Sequence, residues 1–430
     1  MTSDPAAWWR DAVVYQIYPR SFADSDGDGI GDVRGMTARL PYLAELGVDA
    51  VWVSPWYPSP MVDGGYDVSD HRAIHPDFGT LADAEAFVAA AHDLGLRVIL
   101  DLVPNHTSDA HPWFAAALAS QPGSPERARY HFRDGRGPDG GVPPTNWGSL
   151  FGGSAWQRVT EADGRPGQWY LHMFAVEQPD LNWANPEVAD AFDDVLRFWF
   201  DRGVDGFRID VADSLAKDAA MPDTEPLETG YGSYLQSPGH PLWNRPELAG
   251  IQARWRAVAD SYDPPRMFVS EANSPEKLAF LAPGRLHTTF VFDSVWCAWD
   301  AASQRHMLDA ALAQHAAAGV SPTWVLGNHD VPRVVTRYGK ALTGWRWSAS
   351  GPVPPLTWGE HLYPWPTDVA RGRRRARAAA LLELALPGGA YVYQGDELGL
   401  EEVEDLPLQP LADPVFRRTN GRHRGRDGCR

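Results

Sequence analysis

The stretch Gly206-Phe207-Arg208-Ile209-Asp210-Val211 follows a helix-like run and is apolar except for one arginine and one aspartate. If residues 204–210 form a strand, side chains alternate between its faces, and Arg208 and Asp210 share one of them. A cation beside a carboxylate favours the ionised acid, the state a nucleophile needs. Three further short apolar runs end in a similar way. Val98-Ile99-Leu100 leads to Asp101 and Asn105-His106, Met267-Phe268-Val269-Ser270 stops at Glu271, and Trp324-Val325-Leu326-Gly327 stops at Asn328-His329-Asp330. One acid at a strand end is usually a cap or salt bridge. Four apolar strands with polar C-terminal ends are what a parallel barrel presents at its active-site face.

Outward from these four, the remaining strand candidates are 13–17, 50–53, 289–292 and 390–393. Between the strands, residues 82–94, 188–202, 245–260, 301–318 and 373–386 carry apolar side chains at helical spacing. Eight strands alternating with helices predict an α/β fold, a (β/α)8 TIM barrel. The alternative, an open doubly wound sheet, lacks a Gly-x-Gly-x-x-Gly after its first strand. A Gly-, Pro- and Trp-rich stretch follows the third strand and is too long for a simple loop, so 107–181 is expected to be an inserted substrate-specificity domain. The barrel then comprises 1–106 and 182–430. A smaller excursion is expected over 338–369, and no helix is expected over 403–430. A barrel ends on a helix after its last strand, so the C-terminus reads as incomplete and an exposed apolar flank is expected.

The 430 residues carry a formal charge of −18 and are 44% hydrophobic. With no basic surplus to neutralise phosphates, nucleic acid is not an expected partner. No apolar run is long enough to span a bilayer, and the N-terminus lacks a basic region followed by an apolar one. Two cysteines make neither a disulfide framework nor a metal cluster, which fits a reducing cytoplasm. The 19 Trp and 14 Tyr suit sugar rings and cores alike.

Asp210, Glu271 and Asp330 stand on separate strand ends, as acid-assisted displacement at a sugar carbon requires. One carboxylate attacks, a second with raised pKa protonates the leaving oxygen, and a third holds ring hydroxyls. His106 and His329 are expected to donate to those hydroxyls. A zinc site is the competing idea, but no HExxH is present. The run Asp24-Ser25-Asp26-Gly27-Asp28-Gly29-Ile30-Gly31-Asp32 resembles the front half of a calcium loop, though Gly35 stands where the bidentate Glu belongs. It reads as one structural cation site with Asp24, Asp26, Asp28, the Ile30 carbonyl and Asp32 as ligands, Ca2+ or Mg2+, or else as a solvated acidic turn. No organic cofactor is expected.

The sequence resembles the α-amylase family of glycoside hydrolases, in its oligo-1,6-glucosidase and α-glucosidase branch. The motifs that match are Asp101-Leu102-Val103-Pro104-Asn105-His106, Gly206-Phe207-Arg208-Ile209-Asp210, Ser270-Glu271-Ala272, Gly327-Asn328-His329-Asp330 and Gln178-Pro179-Asp180-Leu181-Asn182-Trp183. The resemblance implies that Asp210 is the nucleophile, Glu271 the acid/base and Asp330 the transition-state stabiliser. It implies that Tyr66 stacks on the terminal glucose while Asp67, His106, Arg208, His329 and Arg333 bind hydroxyls or orient the carboxylates. Asp67 and Arg333 would close the pocket behind a non-reducing end. Phe174, Gln178 and Trp183 are candidates for its mouth, the alternative being aromatics buried within the inserted domain, and Val211 resembles the residue of enzymes that cleave α-1,6 links.

Some positions depart from the family pattern. Asp213 stands where relatives have His or Asn, Glu271 is followed by Ala272-Asn273, and His71 replaces a frequent Tyr. Family members also continue beyond Arg430 into a Pro-Trp segment, a last barrel helix and a β-sandwich. The expected activity is that of a retaining exo-α-glucosidase on a small oligosaccharide or disaccharide. The alternatives are a transglycosylase or isomerase acting on sucrose, maltose or trehalose, and an inactive truncated barrel.

Overall fold

The computed structural model describes residues 5–161, 163–224, 239–353, 365–407, 411–421 and 424–430. Eight strands, β1 (Val13–Ile17), β2 (Ala50–Val53), β3 (Arg97–Leu102), β4 (Gly206–Ile209), β5 (Met267–Ser270), β6 (Thr288–Val291), β7 (Thr323–Val325) and β8 (Gly389–Tyr393), close into one parallel barrel. Neighbours follow chain order, and β1 pairs with β8 through Val13 opposite Ala390 to complete the ring. Nearly every barrel-strand residue is buried because helices cover the outside while side chains fill the inside.

The helices form where the sequence spacing predicts, within a few residues: α2 (Leu81–Asp93), α3 (Pro186–Phe200), α4 (Leu248–Asp260), α5 (Ala301–Ala318) and α6 (Val369–Ala385). The helix after β1, α1 (Val33–Leu46), was not among those expected. It carries Pro41 in its interior, which argues against a helix when read locally. Five buried residues, Val33, Gly35, Met36, Leu40 and Leu43, hold it on the barrel. A second correction concerns the tail, where Pro414–Arg418 is a short helix capped by Asp413.

Within 107–181, a helix (Pro112–Ala119) precedes a three-stranded antiparallel sheet of Phe132–Arg133, Trp156–Thr160 and Pro166–Leu171. Trp147, Trp156 and Leu171 from this segment share an apolar cluster with Met221, Leu242 and Trp243 from the segment after β4. That packing brings the inserted segment over the C-terminal end of the barrel. The excursion after β7 contains a short helix (Val334–Gly339) and a hairpin of Arg346–Ser348 and Gly351–Val353, and part of it lies outside the described residues. Among the described residues, no helix is long and apolar enough to cross a membrane.

Candidate active site

The ends of β3, β4, β5 and β7 bring acids from four parts of the chain to one end of the barrel. Arg208, fully buried on β4, joins three of them. Its Nη1 donates to Asp101 Oδ1 at 2.8 Å and to Asp210 Oδ1 at 2.6 Å, and its Nη2 lies 2.7 Å from Glu271 Oε2. The shared face of Arg208 and Asp210 is therefore as the strand alternation predicts. Asp101, which the sequence reading left out of the site, also accepts from Tyr66 Oη at 2.9 Å and Trp52 Nε1 at 3.1 Å.

The electrostatic outcome differs from the two-residue expectation. Burial pushes the Asp210 carboxyl well above the usual carboxylate range, Arg208 pulls it back, and Glu271 and Asp101 add to the push. Asp101 is raised by burial to about 6, against the pull of Arg208. One guanidinium serves three acids, so Arg208 does not by itself keep Asp210 ionised. Asp210 and Glu271 also share a hydrogen bond. A proton retained there belongs to the pair rather than to one residue.

Val211 lines the cavity with a φ of 46°, a left-handed conformation that is strained for a β-branched residue. Its amide donates to Glu271 Oε2 at 3.2 Å. Burial of Asp330 works against ionisation, but His329, whose ring gains its proton only at low pH, and the guanidiniums of Arg426 and Arg430 outweigh it and hold the acid below the usual carboxylate range. Arg426 Nη1 lies 3.0 Å from Asp330 Oδ1, and Arg430 Nη2 lies 3.1 Å from the same oxygen.

The other end of the cavity corrects two expected roles. Asp67 is fully buried behind the wall, where it accepts the amides of Val62 at 2.9 Å and Asp63 at 3.0 Å. A turn through Gly64 and Gly65, both at positive φ, presents Asp63 to the cavity instead. Arg333 also lies elsewhere: its Nη1 donates to the Gln394 carbonyl at 2.7 Å, and its guanidinium sits over Tyr393 in a separate cleft. Arg426 takes the expected place, reaching Asp63 Oδ1 at 2.6 Å and Asp413 Oδ2 at 2.6 Å. The signal was present in Gly425-Arg426-Asp427-Gly428-Cys429-Arg430. Separation from Asp63 by more than three hundred residues hid the pairing.

Tyr66 lines the cavity and stacks on His329 with ring centroids 5.0 Å apart and 6° between planes. His329 is neutral because burial pushes it down to about 3, and its Nδ1 lies 2.8 Å from Gln16 Nε2. Burial likewise takes His106 down to about 4, with its Nε2 3.0 Å from the Tyr66 carbonyl oxygen. Gln178 lies behind the wall rather than at the mouth, its Nε2 donating to Asp63 Oδ2 at 3.1 Å. Phe174 does line the cavity, against His106 and Phe151. Trp183 packs against Phe192 and Trp255, away from the mouth.

In the acidic loop, Asp24, Asp26 and Asp28 offer ligand oxygens within 4.8 Å of one another. Asp24 Oδ1 accepts the Gly27 amide at 2.6 Å, and Asp28 Oδ1 accepts that of Ile30 at 2.7 Å. This all-oxygen donor set fits a hard divalent cation. Asp32 does not join the group: it caps α1, its Oδ1 accepting the Gly35 amide at 2.7 Å and its Oδ2 that of Ser25 at 2.7 Å. For Ile30 the structure shows the amide contact to Asp28.

A carboxylate pair on one guanidinium, with a third acid at the end of another parallel-barrel strand, defines a glycoside hydrolase class of site. Residues 16–350 match the model of the α-amylase catalytic domain, and the chain belongs to that family of glycoside hydrolases. It is 39% identical over 439 residues to a probable α-glucosidase of Rhizobium meliloti (strain 1021), covering 98% of this chain and 73% of that one. An oligo-1,6-glucosidase of Parageobacillus thermoglucosidasius is 39% identical, with 94% and 68% covered. Among solved structures, the α-glucosyl transfer enzyme XgtA superposes with a TM-score of 0.81 at 38% identity, over 99% of this chain and 74% of that one. Trehalulose synthase MutB from Pseudomonas mesoacidophila MX-45 superposes with a TM-score of 0.78 at 33% identity, covering 96% and 70%.

Proposed function

We propose that the chain removes terminal α-linked glucose, α-1,6 and/or α-1,4, from short oligosaccharides by a retaining mechanism. The observation that carries this reading is the Asp210–Glu271 pair held on Arg208. Retaining enzymes keep their two carboxyl groups about 5–5.5 Å apart, without room for a water between them. In the first step an Asp210 oxygen attacks the anomeric carbon. The glycosidic C–O bond breaks, and its oxygen takes the electron pair and the proton from Glu271. Water then gives a proton to Glu271 while its oxygen attacks the same carbon, releasing Asp210. Arg208 orients both acids, and Asp330, kept ionised by Arg426 and Arg430, holds ring hydroxyls. The Asp63–Arg426 wall supports exo action because it blocks the glucose side of the cavity.

Hydrolysis of p-nitrophenyl α-glucoside, with the product anomer followed by NMR, tests the reading. Release of the α-anomer is expected, while first-formed β-glucose would refute retention. Asp210→Asn is expected to lower kcat at least about a thousandfold with the melting temperature preserved. Glucosyl transfer to a sugar acceptor is a second reading, supported by the likeness to XgtA. Transfer products exceeding free glucose at high maltose concentration would select it. A cytoplasmic location is part of the proposal and is supported by Cys297 and Cys429, both buried free thiols.

A structural Ca2+ or Mg2+ on Asp24, Asp26 and Asp28 also belongs to it. Chelation by EDTA is expected to lower the melting temperature and added Ca2+ to restore it. An Asp26→Asn variant that responds to EDTA as the parent does would remove this site from consideration.

A further inference from the structure

The acids of the cavity are not equally compensated. Asp210 and Glu271 share Arg208, while Asp63 and Asp330 share Arg426 and Arg430. Asp213 also lines the cavity and is 3% exposed, yet among the described residues no cation forms an ion pair with it. Its Oδ2 accepts the amides of Asn273 at 3.1 Å and Ser274 at 3.2 Å, the second and third residues after Glu271. The groups facing it electrostatically are Glu271 and Lys217, and Lys217 is already paired with Asp180 at 3.1 Å.

Position gives this charge a meaning. The Asp63–Arg426–Arg430 cluster closes the end of the cavity that grips the glucose unit. Asp213 is tied to the Glu271 side of the cavity by the amides of Asn273 and Ser274, and an acid that protonates a leaving oxygen stands beside the leaving group. We infer that Asp213 makes the leaving-group side of the cavity anionic, so that the enzyme selects neutral or cationic aglycones and rejects anionic ones such as sugar phosphates. This rests on the α-glucosidase reading above. A negative charge brought near a carboxylate without an ion-pair partner in a partly desolvated cavity is repelled far more than in water. Two backbone donors keep the Asp213 side chain in place while its charge faces the cavity.

The test compares p-carboxyphenyl and p-carbamoylphenyl α-glucosides, two leaving groups of one shape that differ in charge. The ratio of kcat/KM values, carboxylate over carboxamide, is the readout. Each enzyme is its own reference, so a general loss of activity does not alter the ratio. Asp213→Asn keeps an acceptor for the two amides and removes the charge, and its ratio is expected to rise about tenfold. Asp213→Glu should retain the low ratio. The parent alone offers a second measurement, since burial raises Asp213 to about 6. Its ratio should fall as pH rises through about 6, and Glu271 protonation, common to both substrates, cancels. An Asn ratio equal to the parent's, with a parental ratio flat from pH 5 to 7.5, would overturn the inference. No hydrolysis of the carboxamide by the parent would instead refute the glucosidase reading.

Discussion

Arg208 is the residue on which most of the site depends, because one buried guanidinium orients three carboxylates. Its effect on Asp210 cannot be judged from that pair alone, since Asp101 and Glu271 compete for the same positive charge. Arg426 plays the matching part at the closed end. Among the described residues, Arg426→Ala would leave buried Asp413 without an ion-pair partner and buried Asp63 with Arg430 alone. A stability loss of about 3–5 kcal/mol is expected in urea unfolding. Arg426→Lys keeps the charge but loses the planar fork, and its kcat/KM is expected to drop about a hundredfold. Arg208, Asp210, Glu271 and Asp330 were legible because each lies on or just past a short apolar strand. Asp63, Arg426 and Arg430 were not, since they lie on turns and a tail with no periodicity to orient a side chain.

At the scale of elements, α1 depends on its cap. Asp32 accepts the Gly35 amide and ties Ser25 to the helix start, so the acidic loop and the helix are held by one carboxylate. Asp32→Ala is expected to cost about 0.5–2 kcal/mol in urea unfolding. Strand β5 has a comparable support from the side: His287 Nδ1 accepts the Phe268 amide at 3.0 Å, and burial takes the ring down to about 3. Its folded pKa lies below the unfolded value, so the unfolded chain binds the extra proton first as pH falls. The stability supplied by neutral His287 is present above about pH 6.5 and is lost progressively down to about 3, at roughly 1 kcal/mol per pH unit. His287→Asn retains an acceptor without the titration. Its urea midpoint should therefore fall less than the parent's between pH 7 and pH 5.

For the whole molecule, α1 and α6 meet at one cleft, which Leu46 and Leu384 both line. Leu381 and Leu384 of α6 are 72% and 53% exposed, and Leu46 at the end of α1 is 42% exposed. Apolar side chains exposed to this extent favour association. The double variant Leu381→Lys, Leu384→Glu is expected to reduce light scattering on heating while shifting stability by no more than about 0.5 kcal/mol. Parental scattering in the double variant would show that association has another source.

By itself, the sequence determined the barrel, the positions of its strands and the acids at their ends. Those features are local: alternation and helical spacing depend on neighbours a few residues apart, and the tertiary fold merely assembles them. The tertiary structure decided which acid compensates which base. Asp63 rather than Asp67 faces the cavity because two glycines at positive φ reverse the chain between them. Arg426 rather than Arg333 meets it because the tail crosses the barrel mouth, while Arg333 turns to Gln394 and Tyr393. Ionisation likewise waited on the fold, since burial and the full set of neighbouring charges set it, and chain order carries neither.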